Sequence, residues 1–236
     1  MELTASGRIL NKGIEKFGVE GTRPTINSYM YGDAKAISKI ASLNNDIIKE
    51  EEFENKANKI KEELQKRLWN KDLNFFTVLP KKYADTTKAL DVRELIGYVP
   101  WYFNLPDDKE EFSLAWKKIK DSTGFAAPLG LTVTEQSHPF FKISYEGHEC
   151  QWNGPSWPFA TTQTLKAMAN FLTSYSNNKT VSKNDYYNLL LQYAKQHKIK
   201  NDNGETFNWI DENFNPYTGD WISRTRLKLS LIHISE

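Results

Sequence analysis

Apolar residues recur at helical spacing in three long stretches of the chain. In each stretch they fall three, four or seven positions apart, or combinations of these, which places them on one face of a helix. The pattern therefore predicts helices over 24–43, 50–69 and 159–175, the first of them opened by Pro24. The apolar positions are Ile26, Met30, Ile37, Ile40 and Ala41; Phe53, Ala57, Ile60, Leu64 and Leu68; and Leu165, Met168, Ala169 and Leu172.

One carboxylate interrupts the apolar stripe of the first helix. Asp33 follows Met30 by three positions and precedes Ile37 by four. A carboxylate at such a position is either buried with a partner or lines a cavity. Both alternatives stay open here, and structural pairing is favoured.

Two shorter stretches also predict helices. Residues 91–100 have a helical pattern that Pro100 must end or kink. Residues 107–121 predict a further helix, with Asp107 or Asp108 as its N-cap.

Long, irregular loops join the predicted helices. Residues 121–149 are rich in Gly, Pro and Ser, and residues 203–226 are rich in aromatic and acidic side chains. Long loops in a compact helical domain are usually functional or disordered, and these contain too many aromatic residues for disorder. The pattern predicts an all-α fold in which loops gathered at one end build a cleft.

Composition narrows the classes of function. The 236 residues carry a formal net charge of +1, which argues against nucleic acid or an anionic membrane as the main partner. No apolar run is long enough to span a bilayer, and the four histidines and one cysteine form no metal-ligand pattern. Aromatic residues make up 13% of the chain, and several stand beside amides and carboxylates, a mixture that suits carbohydrate binding.

Two loop segments hold the candidate chemistry. The first is "QWNGPSW", in which the side chains of Gln151, Trp152, Asn153 and Trp157 surround a rigid Gly-Pro turn. Glycosidic bond hydrolysis requires two carboxyl groups, one to protonate the leaving oxygen and one to act on water or on the sugar.

The second segment supplies carboxylates among aromatic residues. In "WIDENFNPYTGDW", Glu212 lies near Asp220, and Trp209 and Trp221 flank the segment and could exclude solvent. Its spacing alone leaves a solvated turn and a catalytic site equally open.

The two segments resemble family 63 of the glycoside hydrolases and the related mannosylglycerate-hydrolase-like enzymes. "QWNGPSWPFATTQTLKAM" and "ENFNPYTGD" are similar to the two most specific motifs of that group. "RPTINSYMYGDAKAISKIASL", "RELIGYVPWYFNLP" and "GFAAPLGLTV" resemble its helices and a substrate loop. The resemblance implies a partial (α/α)6 toroid of helical hairpins with long aromatic-rich loops.

The resemblance also implies an inverting glycosidase and assigns roles to residues. Glu212 occupies the position of the general base. Glu2, within "MELTASG", occupies that of the general acid, where the family has Asp, and Asp33 is the next candidate for the acid. Asn153 replaces an Arg of the family-63 motif, which bears on substrate identity. The substrate-binding residues it implies are Gln151, Trp152, Asn153, Trp157, Asp220 and Trp221.

The expected partner is an oligosaccharide or small glycoside of α-linked glucoside or mannoside type, with no cofactor, nucleic acid or membrane. Residues 1–228 are expected to be part of one catalytic domain. Residues 229–236, an abrupt apolar switch, are expected to be a non-native tail. We predict no compartment.

Two other classes compete with a glycosidase. A non-catalytic helical carbohydrate-binding module, or an inactive fragment, would keep the tryptophans without hydrolysis. A helical repeat scaffold would need a regular sequence period, which the chain lacks.

Overall fold

Two long antiparallel helices form the first part of the fold. The computed structural model describes residues 3–4, 21–81, 90–144, 151–201 and 203–222, so Glu2 and residues 229–236 lie outside the described residues. Helix α1 (Pro24–Leu43) has Pro24 in its first turn. Helix α2 (Ile47–Leu68) begins where the side chain of Asp46 accepts a hydrogen bond from the Lys49 N–H.

Two polar contacts join α1 to α2 in antiparallel order. The Lys35 ammonium pairs with the Glu54 carboxylate at 2.7 Å, and the Ser38 hydroxyl donates to the Glu50 carbonyl at 3.1 Å. The predicted bounds of α1 are therefore confirmed, and those of α2 hold with a start three residues earlier.

The face of α1 that packs against the protein is not the predicted apolar stripe. Ile26, Met30, Ile37 and Ile40 are exposed, and only Ala41 of the stripe is buried. The buried face instead consists of small or amphipathic residues: Pro24, Ser28, Tyr31, Ala34, Ser38 and Ala41. The stripe of α2 is buried or half-buried as predicted.

Short helical turns replace the helices predicted over 91–100 and 107–121. The 3-10 helix η1 (Leu95–Tyr98) leads into α3 (Val99–Tyr102), and Pro100 lies in the first turn of α3 rather than at a helix end. Helix α4 (Glu110–Ser113) continues as the 3-10 helix η2 (Leu114–Ile119).

The N-cap predicted for this second stretch is also wrong. Lys109 occupies the N-cap of α4 without a side-chain hydrogen bond. The carboxylate of Asp108 accepts hydrogen bonds from the backbone N–H groups of Ser176 and Asn177 instead.

Two further helices follow the "QWNGPSW" segment. Helix α5 (Pro158–Ser174) packs against α3 and against α6 (Lys183–Gln196). Ser182 and Asp185 form a capping box at the start of α6. None of the helices in the described ranges has the length and apolar character needed to cross a membrane.

Strands are short and form only two-stranded pairs among the described residues, as the all-α prediction requires. Four pairs are antiparallel, and β1 with β8 is parallel, with Leu3 opposite Gln151 and Thr4 opposite Trp152. The strands are β1 (Leu3–Thr4), β2 (Gly21–Thr22), β3 (Trp69–Asn70), β4 (Phe75–Phe76), β5 (Leu79–Pro80), β6 (Ala126–Ala127), β7 (Gly130–Leu131), β8 (Gln151–Trp152), β9 (Lys198–Lys200) and β10 (Thr206–Asn208).

Aromatic rings dominate the core between these elements. Trp101 and Trp116 are fully buried, and the ring of Trp116 stacks on that of Phe171 at 5.1 Å between centroids. Tyr98 packs against both tryptophans. Much of the aromatic content of the chain therefore fills this core, and only part of it is available to a site.

Candidate active site

A backbone pair joins the two segments that carry the candidate chemistry. Ser156 and Phe214 exchange both of their backbone hydrogen bonds, each at 3.0 Å. Phe214 also forms an antiparallel bridge with Trp221 on its other side. Residues 58 positions apart, by their numbers 156 and 214, are thus held in direct contact.

A third segment packs against this junction. The Leu129 N–H donates to the Pro216 carbonyl at 2.8 Å. Next to it, Gly130 lies so close that a Cβ there would be 2.8 Å from Phe214 Cζ and 3.0 Å from Ser156 Oγ. Only a residue without a side chain fits this position.

The two tryptophans of "QWNGPSW" have different surroundings. Trp157 is buried, and its indole N–H donates to the Gln151 carbonyl at 2.8 Å. Its ring stacks on that of Trp152 with centroids 4.2 Å apart and planes 20° apart. Trp157 therefore supports one face of the half-buried Trp152 ring, and Trp152 also lines a cavity.

Gln151 and Asn153 hold the chain that precedes them. The Gln151 amide donates to the carbonyls of Lys142 and Ser144 at 3.0 and 3.1 Å. The Asn153 amide donates to the Phe140 carbonyl at 3.1 Å. Both side chains are buried, so they fix residues 140–144 against the turn.

The cavity beside Trp152 has a volume of about 260 Å³, and we call it the Trp152 cavity. Its lining combines aromatic rings, a buried carboxylate, an amide and a guanidinium. The residues are Arg23, Thr25, Tyr29, Glu94, Ile96, Val133, Trp152, Phe159 and Gln163. The amide of Gln163 donates to the Tyr29 hydroxyl at 2.6 Å, which fixes both groups at the wall.

Backbone bonds and a buried ion pair hold the opposite wall. Glu94 bridges Thr134, and the Leu95 N–H donates to the Val133 carbonyl at 2.8 Å. Next to them, the Arg93 guanidinium pairs with the Glu135 carboxylate at 2.6 Å. This wall is therefore rigid.

Burial shifts two titratable groups near these segments. The pKa of His138 is lowered because burial disfavours its charged form, although the Glu135 carboxylate acts in the opposite direction. The pKa of Tyr217 is raised by burial, and its hydroxyl donates to the Gln136 side chain.

Glu212 is half-buried two residues before the Ser156–Phe214 pair. Its backbone N–H donates to Asp211 Oδ1 at 2.8 Å. Several buried polar atoms around it have no hydrogen-bond partner: Asn153 Oδ1, Ser156 Oγ, Asp211 Oδ2 and Asn213 Oδ1. Such atoms are normally satisfied by water or by a ligand, so the junction has unused hydrogen-bonding capacity.

Trp221 and Asp220 line a different cavity, of about 1040 Å³, which we call the Trp221 cavity. Trp209 and Phe207 also line it. The Trp221 indole N–H donates to the Lys198 carbonyl at 3.0 Å, and the Asp220 carboxylate accepts from the Thr218 hydroxyl at 2.7 Å.

The predicted site residues therefore divide into groups. Trp152 lines one cavity, Asp220 and Trp221 line another, and the Ser156–Phe214 pair joins the segments that carry them. The described lining of neither cavity includes Glu212. A pocket shared by Trp152 or Trp157, Gln151 and Glu212 accordingly stays a prediction.

The two candidates for the acid are not in the described Trp152 cavity. Glu2 lies outside the described residues. Asp33 is exposed and lines a separate groove between α1 and α2. Of the two alternatives for Asp33, the structure therefore supports a cavity wall.

The sequence pattern missed most of the Trp152 cavity. Arg23, Tyr29 and Gln163 belong to stretches interpreted only as helices and their ends. Glu94 lies in "RELIGYVP", where a carboxylate ahead of an apolar run was the available signal. Across the described part of the chain, no cluster of three or more His, Cys, Asp or Glu residues could hold a metal ion.

The family comparison decides between the classes left open by these features. The profile of the mannosylglycerate hydrolase MGH1-like glycoside hydrolase domain matches residues 8–226. The chain belongs to this family. The family prediction and the assignment to a glycoside hydrolase domain are thereby confirmed. No curated protein sequence matches the chain.

Solved structures similar to the chain are all longer than it. A sialidase is 37% identical, with a TM-score of 0.79, and the match covers 91% of this chain but 19% of the sialidase chain. The GH63 mannosylglycerate hydrolase from Thermus thermophilus, in complex with glucose, is 16% identical with a TM-score of 0.61 and covers 83% and 42%.

A third structure, the neutral trehalase Nth1 from Saccharomyces cerevisiae, is 14% identical with a TM-score of 0.53 and covers 79% and 34%. The last two likenesses concern the fold alone. They confirm the predicted partial (α/α)6 toroid.

Proposed function

We propose that this domain hydrolyses O-glycosidic bonds with inversion of configuration. The observation that carries the proposal is the Ser156–Phe214 backbone pair, which holds the tryptophan segment against the segment of Glu212. A sugar-binding wall and a carboxyl group are what hydrolysis needs side by side. Membership of a glycoside hydrolase family supports the same chemistry.

In this proposal Glu212 is the general base and Glu2 the general acid. The base must remain ionised, and half-burial next to the polar side chains of Asn213 and Asn215 is compatible with that state. In an inverting enzyme a water molecule fits between the base and the sugar. The two carboxyl groups are therefore expected roughly 6.5–9.5 Å apart, against about 5–5.5 Å in a retaining enzyme.

Trp152 is proposed to bind the sugar ring. Trp157 supports one face of its indole, and the ring of Trp152 also lines the cavity. The Trp152 cavity, of about 260 Å³, is smaller than the roughly 300–1,000 Å³ typical of pockets for drug-sized ligands. It suits a single sugar ring. Gln151, Asn153, Asp220 and Trp221 complete the proposed substrate-binding set.

We propose an α-linked glucoside or mannoside as the substrate. One similar structure is described as a mannosylglycerate hydrolase in complex with glucose. Proton transfer is assigned entirely to carboxyl groups, and the proposal includes no metal or cofactor.

The experiment is a panel of α-linked glucosides and mannosides, with the product anomer identified by NMR. The variant Glu212→Gln keeps the shape of the side chain and removes its basicity. Since general base catalysis contributes about 10²–10⁴-fold, the rate should fall by that factor while sugar binding persists. Exposed Glu205→Gln, in the turn between β9 and β10, is the matched control. Retained anomeric configuration or full activity of Glu212→Gln would contradict the proposal.

A non-catalytic carbohydrate-binding module is the alternative. It is favoured by one observation, that the described lining of the Trp152 cavity does not include Glu212. Sugar binding that depends on Trp152, with no turnover of any glycoside in the panel, would establish this alternative and overturn hydrolysis.

A further inference from the structure

Glu94 is a nearly buried carboxylate on the wall of the Trp152 cavity. The residue is 6% exposed, and it lines the cavity together with Trp152 and Tyr29. Burying a carboxylate is costly unless the charge is used in hydrogen bonds. Its position is therefore informative about what the cavity binds.

The backbone fixes Glu94 at this wall. The residue is extended and immediately precedes the 3-10 helix η1, whose Gly97 N–H donates to the Glu94 carbonyl at 2.8 Å. Across the wall Glu94 bridges Thr134. Its neighbour Arg93 is held separately by the Glu135 carboxylate. Such preorganisation lowers the cost of binding a ligand.

An ionised carboxylate is an acceptor with about four lone-pair sites. Glu94 has an interaction within the protein, and one such contact leaves acceptor sites for a ligand. A sugar ring stacked on Trp152 presents C–H groups to the indole, while its equatorial hydroxyl groups project sideways towards the walls. Hydroxyl groups are donors and match a carboxylate acceptor.

We propose that Glu94 accepts hydrogen bonds from hydroxyl groups of the sugar ring that stacks on Trp152, and that it selects among epimers of that ring. The proposal rests on the Trp152 cavity being the sugar site of the proposed function. An epimer with a hydroxyl turned to the other orientation loses a bond to a fixed acceptor. A site built around such a bond rejects ligands that lack the hydroxyl.

The test measures binding by calorimetry, with D-glucose, D-mannose and the monodeoxy analogues of glucose as probes. The full chain is compared with Glu94→Ala and Glu94→Gln. Hydrogen bonds to charged groups correspond to roughly 10- to 150-fold in affinity. We expect the unmodified chain to lose about that factor for one deoxy analogue, or for two adjacent ones. Glu94→Ala should bind glucose that much more weakly and no longer distinguish those analogues.

The control variant is Glu62→Ala, an exposed carboxylate on α2. It should retain both the affinity and the pattern across analogues. Circular dichroism establishes that each variant folds. Should Glu94→Ala weaken every analogue equally, or leave the pattern of the unmodified chain intact, the role of Glu94 in recognition is wrong. No sugar binding by the folded chain would overturn it as well.

This binding experiment separates the inference from the proposed hydrolysis. Loss of turnover in Glu212→Gln with an unchanged Glu94→Ala binding pattern leaves hydrolysis standing and overturns the role of Glu94. Glu94-dependent discrimination without turnover of any glycoside supports the role of Glu94 and contradicts hydrolysis.

Discussion

Gly130 is the residue at which the least chemistry determines the most geometry. It lies against both partners of the Ser156–Phe214 pair, and Phe214 is buried, with 1% of its surface exposed. A buried ring has little room to move because protein interiors are close-packed. The spacing between the two candidate segments therefore depends on a missing side chain.

We expect Gly130→Ala to displace this junction. The added Cβ would lie 2.8 Å from Phe214 Cζ, and overpacking of this kind costs about 1–3 kcal/mol. A shift of about 1 Å in a catalytic group lowers rates by on the order of 10²-fold. The measurement is kcat/KM on the glycoside substrate together with urea unfolding.

Gly204→Ala is the matched control for this prediction. Gly204 has a φ of +80° and nothing within 4 Å of its Cβ position, so the variant is strained without touching the junction. It should lose stability and keep kcat/KM. Normal kinetics of Gly130→Ala would show that the junction does not position the site.

The unpartnered buried atoms near Glu212 are a second feature at the residue scale. Each costs about 1–3 kcal/mol if it stays unsatisfied, and Asn153, Ser156, Asp211 and Asn213 each contribute one. Structures retain such groups where water or a ligand satisfies them. Their concentration on the two segments joined by Ser156 and Phe214 is an independent reason to place function there.

Among the elements, α1 shows what a hydrophobic pattern can and cannot predict. The spacing of Ile26 to Ile40 correctly indicated a helix, but its large apolar residues point away from the core. Small residues such as Ala34 and Ser38 face inward, where they let α2 approach closely. Periodicity predicts which residues share a face, whereas the choice of the buried face depends on tertiary partners.

The stretch before α4 failed for a different reason. Pro100 was taken as a helix end, yet proline is equally suited to a first helical turn, where it lies in α3. The long-range bond between Leu95 and Val133 competes with local helix formation. Glu94 was missed with it, because a wall built from residues about 40 apart has no local signature.

The recognisable part of the site was local in sequence. Trp152 and Trp157 stand within one turn, so their division into a cavity wall and a support could be proposed but not assigned. Arg23 and Gln163 reach the Trp152 cavity from two distant helices. Their convergence requires the fold.

Asp108 carries the pH prediction at this scale. Its carboxylate accepts backbone hydrogen bonds from Asn177 and Ser176 just after α5, and these bonds lower its pKa. A lowered pKa in the folded state contributes stability above the unfolded value of about 3.9. That contribution is lost as the pH falls through the folded pKa.

We therefore expect Asp108→Asn to be less stable than the unmodified chain at pH 7, by a few tenths to about 1 kcal/mol because the group is exposed. The difference should close below about pH 3, where both forms are neutral at this position. Urea unfolding between pH 3 and pH 7 measures it. Exposed Asp72→Asn controls for loss of one surface charge. A difference that persists unchanged at low pH would assign the effect to packing instead.

Across the whole molecule, the Arg93–Glu135 pair joins three segments distant in sequence. The guanidinium donates to Glu135 at 2.6 Å and to the Leu73 carbonyl at 2.7 and 3.0 Å. The Arg93 N–H donates to the other Glu135 oxygen at 3.0 Å. Both side chains are largely buried, at 13% and 6% exposed. The pair therefore supports the wall that carries Glu94 and Val133.

Removing one partner should be far more harmful than removing both. Glu135→Leu leaves a buried guanidinium without its counter-charge, which costs about 3–5 kcal/mol, and Arg93→Met leaves a buried carboxylate with the same deficit. In the double variant neither charge remains. The Leu73 carbonyl and the Arg93 N–H still lose partners, so the double variant recovers only part of the stability.

A double-mutant cycle by urea unfolding measures this coupling, and the sum of the single losses should exceed the loss in the double variant by about 2 kcal/mol or more. Sugar binding distinguishes a structural brace from a site support. If the pair positions the wall of the Trp152 cavity, the folded double variant binds glucose more weakly than the unmodified chain even where its stability is largely restored. Additive single losses would mean that the charges act independently, and unchanged glucose affinity would mean that Glu94 and Val133 hold their positions without the pair.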